Sequence, residues 1–242
     1  MTLLIIRHGD PDYERDCLTE QGEREARLLA EDLSGIPIDA AYVSPLGRAR
    51  QTARYTLDAL GLSATVCGWL REFDPQIRRP DRDGLSIAWD WLPRDWANED
   101  CFLSVDSWTD HPVMAESDAP EKYRIVCTEL DALLDRHGYR REGRFYRAHT
   151  PNTDTIALFC HFGVESVILS HILNISPMSL WHGFCALTSS VTVVHTEERR
   201  EGIASFRVSE YGSVAHLRRA GVTPSFSARF CECWRNQDER HD

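Results

Sequence analysis

Leu3-Leu4-Ile5-Ile6-Arg7-His8-Gly9-Asp10 is the stretch that decides the fold. Four apolar residues without polar alternation describe a short, fully buried strand over residues 2–6, bounded by Gly9 and Pro11. The run ends in two side chains that can both be cations, followed by a residue with no side chain. In an open α/β sheet this is where reactive groups gather, at the carboxyl ends of strands.

Outward from that strand the chain alternates. Thr19 is a helix N-cap with acidic residues in the first turn, and Ala26, Leu29, Ala30 and Leu33 form one apolar stripe. Ile38 to Val43 reads as a second strand, stopped by Ser44-Pro45, and Arg48 to Leu60 as a helix. Ala64 to Trp69 reads as a third strand. Pro120 to His137 is helical until Gly138, Thr155 to Cys160 is a strong buried strand, and Val164 to Leu173 is a helix. Ser190 to His195 and Ile203 to Ser209 form a closing hairpin. The pattern predicts an α/β fold, a three-layer α/β/α sandwich with a mainly parallel central sheet.

Between about 74 and 118 the alternation lapses into a stretch rich in Pro, Asp and Arg that carries Trp89, Trp91, Trp96 and Trp108. So many tryptophans in a polar, irregular segment indicate a folded insertion packed on the core, rather than a flexible linker, and the tryptophans read as a small core rather than a ligand-stacking platform. The expectation is one domain over residues 1–242, with 74–150 as an inserted cap.

With 242 residues, 42% of them hydrophobic, the chain can bury one sizeable core. A net charge of -11 argues against nucleic acid or an anionic membrane as partner. No stretch approaches the roughly 18 apolar residues that span a bilayer, and the N-terminal apolar run is too short for a signal peptide. Eight irregularly spaced cysteines then fit a reduced, cytoplasmic protein. Cys231-Glu232-Cys233 lacks the second pair that would complete a four-ligand metal site.

The strand ends bring together Arg7, His8 and Gly9, then Arg48, Glu72 and His161. Singly, each has an ordinary reading: ion-paired arginines, a core histidine, a solvated carboxylate. Jointly they describe a phosphate site. Two guanidinium forks match a phosphate dianion. A histidine between them is held neutral and therefore nucleophilic, and Gly9 removes bulk where backbone approaches the phosphate. Phosphoryl transfer needs mostly positioning and charge stabilisation, which these groups supply without a metal.

Arg7-His8-Gly9, the Ser44-Pro45-Leu46-x-Arg48-Ala49-x-Gln51-Thr52-Ala53 block, Leu18-Thr19-x-x-Gly22-x-x-x-Ala26, Glu72 and His161 resemble the histidine phosphatase (phosphoglycerate mutase-like) superfamily. The resemblance covers most of residues 1–72 and 155–217. It implies His8 as nucleophile forming a phosphohistidine, and Arg7, Gly9, Arg48 and His161 as the phosphate pocket. Glu72 would be the general acid, and no metal and no cofactor would be needed. Glu72 leads into Phe73-Asp74-Pro75-Gln76 instead of the Gly-x-Trp-Glu-Gly-like turn frequent in phosphatases, which leaves Asp10 and Asp74 as substitutes. Phe162 stands directly after His161, where glycine is frequent.

The resemblance implies a phosphatase for a small phosphorylated substrate. A mutase on the same site and a weakly active member that binds a phosphorylated ligand or partner are the alternatives. The short, acidic Asp10-Pro11-Asp12-Tyr13 favours hydrolysis over the mutase. A homodimer stays open, since many relatives self-associate.

Overall fold

The structure, a computed structural model, describes residues 1–228 and 230–239. Eight strands form one sheet: β1 (Thr2–Arg7), β2 (Ala40–Val43), β3 (Ala64–Val66), β4 (Tyr139–Glu142), β5 (Phe145–Ala148), β6 (Thr155–Cys160), β7 (Val191–Arg200) and β8 (Ile203–Ser213). Their spatial order is β3-β2-β6-β1-β7-β8-β5-β4. The half from β3 to β1 is parallel and the half from β1 to β4 antiparallel. The expected α/β class holds, and the expected parallel pairing holds in the half that carries the site. The antiparallel half comes from the expected closing hairpin and from β4–β5, a hairpin with no counterpart in the sequence reading.

β1 shows why its sequence has no polar alternation. Leu3 and Ile5 face one core, while Leu4 and Ile6 face the other, and all four are buried. Helices α1 (Glu20–Leu33) and α2 (Gly47–Leu60) cover the second face through Leu29, Leu33 and Ala53. Helices α3 (Ala119–Arg136) and α4 (Phe162–Leu173) cover the first through Leu130, Leu133, Val164 and Ile168. Two helix layers around one sheet are the three layers expected. Two shorter helices follow, α5 (Pro177–Gly183) and α6 (Ala215–Arg219).

The expected insertion 74–150 has two parts. Residues 119–148 supply α3 and the outer strands β4 and β5, so they are built into the sandwich. Residues 74–118 form the irregular cover, made of one-turn helices and a two-residue hairpin. Trp91, Trp96, Trp108, Phe102 and Met114 are buried there, in the same apolar cluster as the sheet face. Trp108 meets Trp181 of α5 edge to face at 5.6 Å. The third expected strand ends early: β3 stops at Val66, and Gly68–Leu70 turn as a single 3₁₀ loop. All eight cysteines keep their thiols, with no disulfide among the described residues. No described helix is long and apolar enough to cross a membrane.

Candidate active site

The parallel half of the sheet delivers the expected residues to one rim. Sheet-type hydrogen bonding continues past the end of β1, with His8 N–H donating to Cys160 O (3.1 Å) and Ser189 N–H to His8 O (2.9 Å). The backbone of His8 is thereby pinned between the end of β6 and the approach to β7. The next residue after β6 is His161, and the two imidazoles lie 5.0 Å apart, tilted by 60°. Ser44, directly after β2, is fixed by its N–H on Phe159 O (2.9 Å). Arg48 follows in the first turn of α2.

His8 is 2% exposed. Its Nδ1 lies 2.7 Å from Gly9 O. A carbonyl only accepts, so Nδ1 carries the proton and Nε2 keeps the lone pair. Arg48 Nε–H points at that lone pair from 3.3 Å. Burial, then the Arg7 cation and more weakly Arg48, hold the His8 pKa well below the ordinary histidine value, against an opposing push from the Gly9 carbonyl. The imidazole is therefore neutral at pH 7.

His161 is fully buried. Ser44 Oγ lies 2.8 Å from its Nε2, and Leu46 N–H donates to the same oxygen. The hydroxyl can then give its own proton to Nε2, which leaves Nδ1 as the N–H. That atom is buried with no hydrogen-bond partner among the described residues. Burial and the neighbouring His8 and arginines keep this ring neutral as well.

The two arginines are held differently. Arg48 Nη1 donates to Asp16 Oδ1 (2.7 Å), and its guanidinium lies over the Tyr13 ring at 5.3 Å. Asp16 also accepts from Gly47 N–H (2.7 Å) at the start of α2 and sits at φ 48°, a left-handed conformation that costs a non-glycine residue energy. Arg7 donates to the Ala186 carbonyl and lies 5.6 Å above the Phe162 ring. Among the described residues it has no ion pair, and its Nε is buried without a partner.

Glu72 reaches the same rim. Its Oε1 accepts from Phe73 N–H (2.8 Å) and from Val164 N–H (3.2 Å) in the first turn of α4. Burial raises its pKa, opposed by the Arg7 charge and then by the two backbone donors. The alternatives to Glu72 are engaged elsewhere. Asp10 accepts from the hydroxyls of Thr19 (2.5 Å), Ser225 and Ser227 (2.9 Å), and Asp74 is ion-paired with Lys122 at 2.8 Å.

Gly9 has a tighter constraint than the phosphate clearance expected of it. A Cβ there would lie 2.7 Å from Gly22 O in α1, so the close approach it permits is between loop and helix. Its N–H donates to Thr52 Oγ1 (3.0 Å).

Sequence reasoning missed Ser44 as a hydrogen-bond partner, although it stands in the Ser-Pro-Leu block, and missed Asp16 altogether. It also missed Gly163, where a Cβ would come within 2.6 Å of Glu72 Oε1. A cavity of about 560 Å³ opens beside Arg7.

The family model of the histidine phosphatase superfamily (branch 1) matches residues 3–208, and the chain belongs to that superfamily. Over 199 residues it is 26% identical to an adenosylcobalamin/alpha-ribazole phosphatase of Salmonella typhimurium, covering 75% of this chain and 84% of that protein. It is 23% identical over 216 residues to phosphoserine phosphatase 1 of Hydrogenobacter thermophilus, covering 86% and 92%. A crystal structure of a mutant phosphoserine phosphatase from Entamoeba histolytica, in complex with phosphoserine, shares the fold. Its TM-score is 0.57 at 17% identity, covering 89% of this chain and 98% of that one.

Proposed function

We propose that the protein is a metal- and cofactor-independent phosphomonoesterase that passes the phosphoryl group through His8 Nε2. The observation that carries this reading is the pairing of Nδ1–H with Gly9 O, which presents an unprotonated Nε2 to Arg48 in a buried site.

A substrate phosphate takes over the Arg48 donor now directed at Nε2 and gathers Arg7 at its other oxygens. The Nε2 lone pair attacks phosphorus, the P–O bond to the organic group breaks, and Glu72 gives its proton to the departing oxygen. The imidazole, phosphorylated on Nε2 with Nδ1–H retained, is stabilised by the Gly9 carbonyl. Water then loses a proton to Glu72 as it attacks phosphorus, which releases phosphate and returns His8 and Glu72 to their starting forms. His161 Nδ1–H donates to a transferring oxygen, and Ser44 keeps it in that tautomer. Two guanidinium groups and a neutral donor in a dry site carry the charge stabilisation a metal would otherwise bring. Residues 74–118 serve as the cap over this rim.

The test is release of inorganic phosphate from p-nitrophenyl phosphate in EDTA, with detection of an acid-labile phosphohistidine by phosphorus NMR. Activity retained in His8→Ala, or dependent on added metal, overturns the reading.

A further inference from the structure

The cavity beside Arg7 bears on what the phosphate is attached to. Its walls are mostly aromatic: Trp89, Phe162, Trp181 and Phe184 stand around Arg7. Phe184 is 49% exposed although it is a large apolar side chain. Trp89 and Phe162 meet at right angles, 5.9 Å between centroids, and Phe184 is braced on Tyr211 at 5.0 Å. Rings supported edge-on in this way offer a firm slot to a flat guest.

The slot also adjoins the point where the substrate's P–O bond would break. Trp89 Nε1 donates to Phe73 O (2.8 Å), the carbonyl next to Glu72. The Cβ position of Gly163 lies 2.6 Å from Glu72 Oε1 and 3.0 Å from Trp89 Nε1, so carboxyl and indole share one small neighbourhood. An oxygen receiving its proton from Glu72 is therefore a near neighbour of Trp89.

Arg7 is the only formally charged side chain on the described walls, and the phosphate claims it. His182, beside it, is kept neutral by burial. A leaving group bearing a carboxylate or an ammonium would find no further counter-charge on those described walls. A second cavity beyond Glu72, about 330 Å³, holds Arg71 beside Lys122, the latter paired with Asp74 and Asp118 at 2.8 and 2.9 Å, so the cations available to an anionic group lie on that side and not in the aromatic slot.

We propose that the substrate is a phosphate monoester of an alcohol carrying an uncharged, flat aromatic group, bound in the slot of Trp89, Phe162 and Phe184. This rests on the phosphomonoesterase reading.

The experiment compares kcat/KM for benzyl phosphate and ethyl phosphate, whose leaving alcohols are similarly basic, so that their ratio reports the ring alone. Phosphoserine and 3-phosphoglycerate serve as charged competitors. A ratio of about tenfold or more in favour of benzyl phosphate is expected, and Phe184→Ala should lower that ratio severalfold through KM. A ratio near one, a ratio insensitive to Phe184→Ala, or better turnover of either charged ester overturns the proposal while leaving the phosphatase reading standing. If no ester is hydrolysed, the phosphatase reading fails and calorimetry decides the slot separately. Benzylphosphonate binding about tenfold tighter than methylphosphonate supports it, and equal binding overturns it.

Discussion

Gly163→Ala is a single-methyl test of where Glu72 sits. Gly163 is in the first turn of α4, and an added Cβ would meet Glu72 Oε1 at 2.6 Å, Phe73 O at 2.7 Å and Trp89 Nε1 at 3.0 Å. Ordinary contact begins near 3.4 Å, so the carboxylate must retreat by about 0.8 Å. One of the three obstacles is a backbone carbonyl, held in turn by the Trp89 indole, so the loop cannot simply yield. Overpacking of this kind costs about 1–3 kcal/mol of stability, and a weakened Val164 N–H bond adds about 1 kcal/mol. For catalysis, misplacing a proton donor by about 1 Å costs on the order of 100-fold in kcat. The assays are urea denaturation and the pH profile of kcat with an alkyl phosphate, whose poor leaving group demands the acid. Gly35→Ala, with nothing within 4 Å of its Cβ position, is the control and should change neither. Lost stability with unchanged kcat would remove Glu72 from the proton transfer. If neither property moved, the contact itself would be refuted.

Two further outcomes follow from the side chains around the arginines. Asp16→Ala should lower kcat/KM about tenfold by loosening Arg48, and adding it to Arg48→Ala should cost nothing more; an additive double mutant would show that Asp16 does not act through Arg48. Burial raises the pKa of Glu165 to about 7 from 4.5, so the folded protein keeps a proton the unfolded chain has released, and this contribution is complete below 4.5 and lost as pH rises toward 7. Glu165→Gln should therefore match the parent at about pH 5 and exceed it in urea stability at about pH 8, by up to roughly 3 kcal/mol; parallel stability curves would refute this.

What could be read in the sequence was whatever depends on local pattern. β1 and β6 are legible because burial on both faces leaves an unbroken apolar run, and the strand-end rule then places Arg7, His8, Arg48 and His161 together. The β4–β5 hairpin was not legible. Tyr139-Arg140-Arg141-Glu142 is an outer strand whose polar residues pair with solvent and neighbours, so it carries neither apolar alternation nor an apolar run, and only the Gly143 turn at φ +65° marks it. The anchoring of Glu72 was equally hidden. One of its donors, Val164 N–H, is 92 residues away in the chain and becomes a neighbour only when α4 docks beside the loop after β3. Asp16 escapes for a similar reason, since its partner Arg48 is 32 residues away in the chain. Gly163 was hidden in the same way, because its lack of a side chain is a packing requirement set by the Glu72 loop.

The net charge of -11 stands at odds with a site for anions, and the burial of the titratable groups resolves the conflict. His8 and His161 are pushed toward their neutral forms, and so are Glu72 and Glu165, because each would otherwise be a charge in a dry interior. Arg7, Arg48 and Arg71 bring positive charge to His161, and among the described residues Arg48 is ion-paired with Asp16 while Arg7 has no ion pair. The guanidinium groups at the rim are therefore only partly offset by a paired carboxylate. On the proposed mechanism a bound phosphate adds negative charge near Glu72, which favours keeping its proton until the leaving oxygen takes it. The acidic exterior repels anions at long range but is screened over about 8–10 Å in physiological salt. Within the site, the short distances to Arg7 and Arg48 decide the binding.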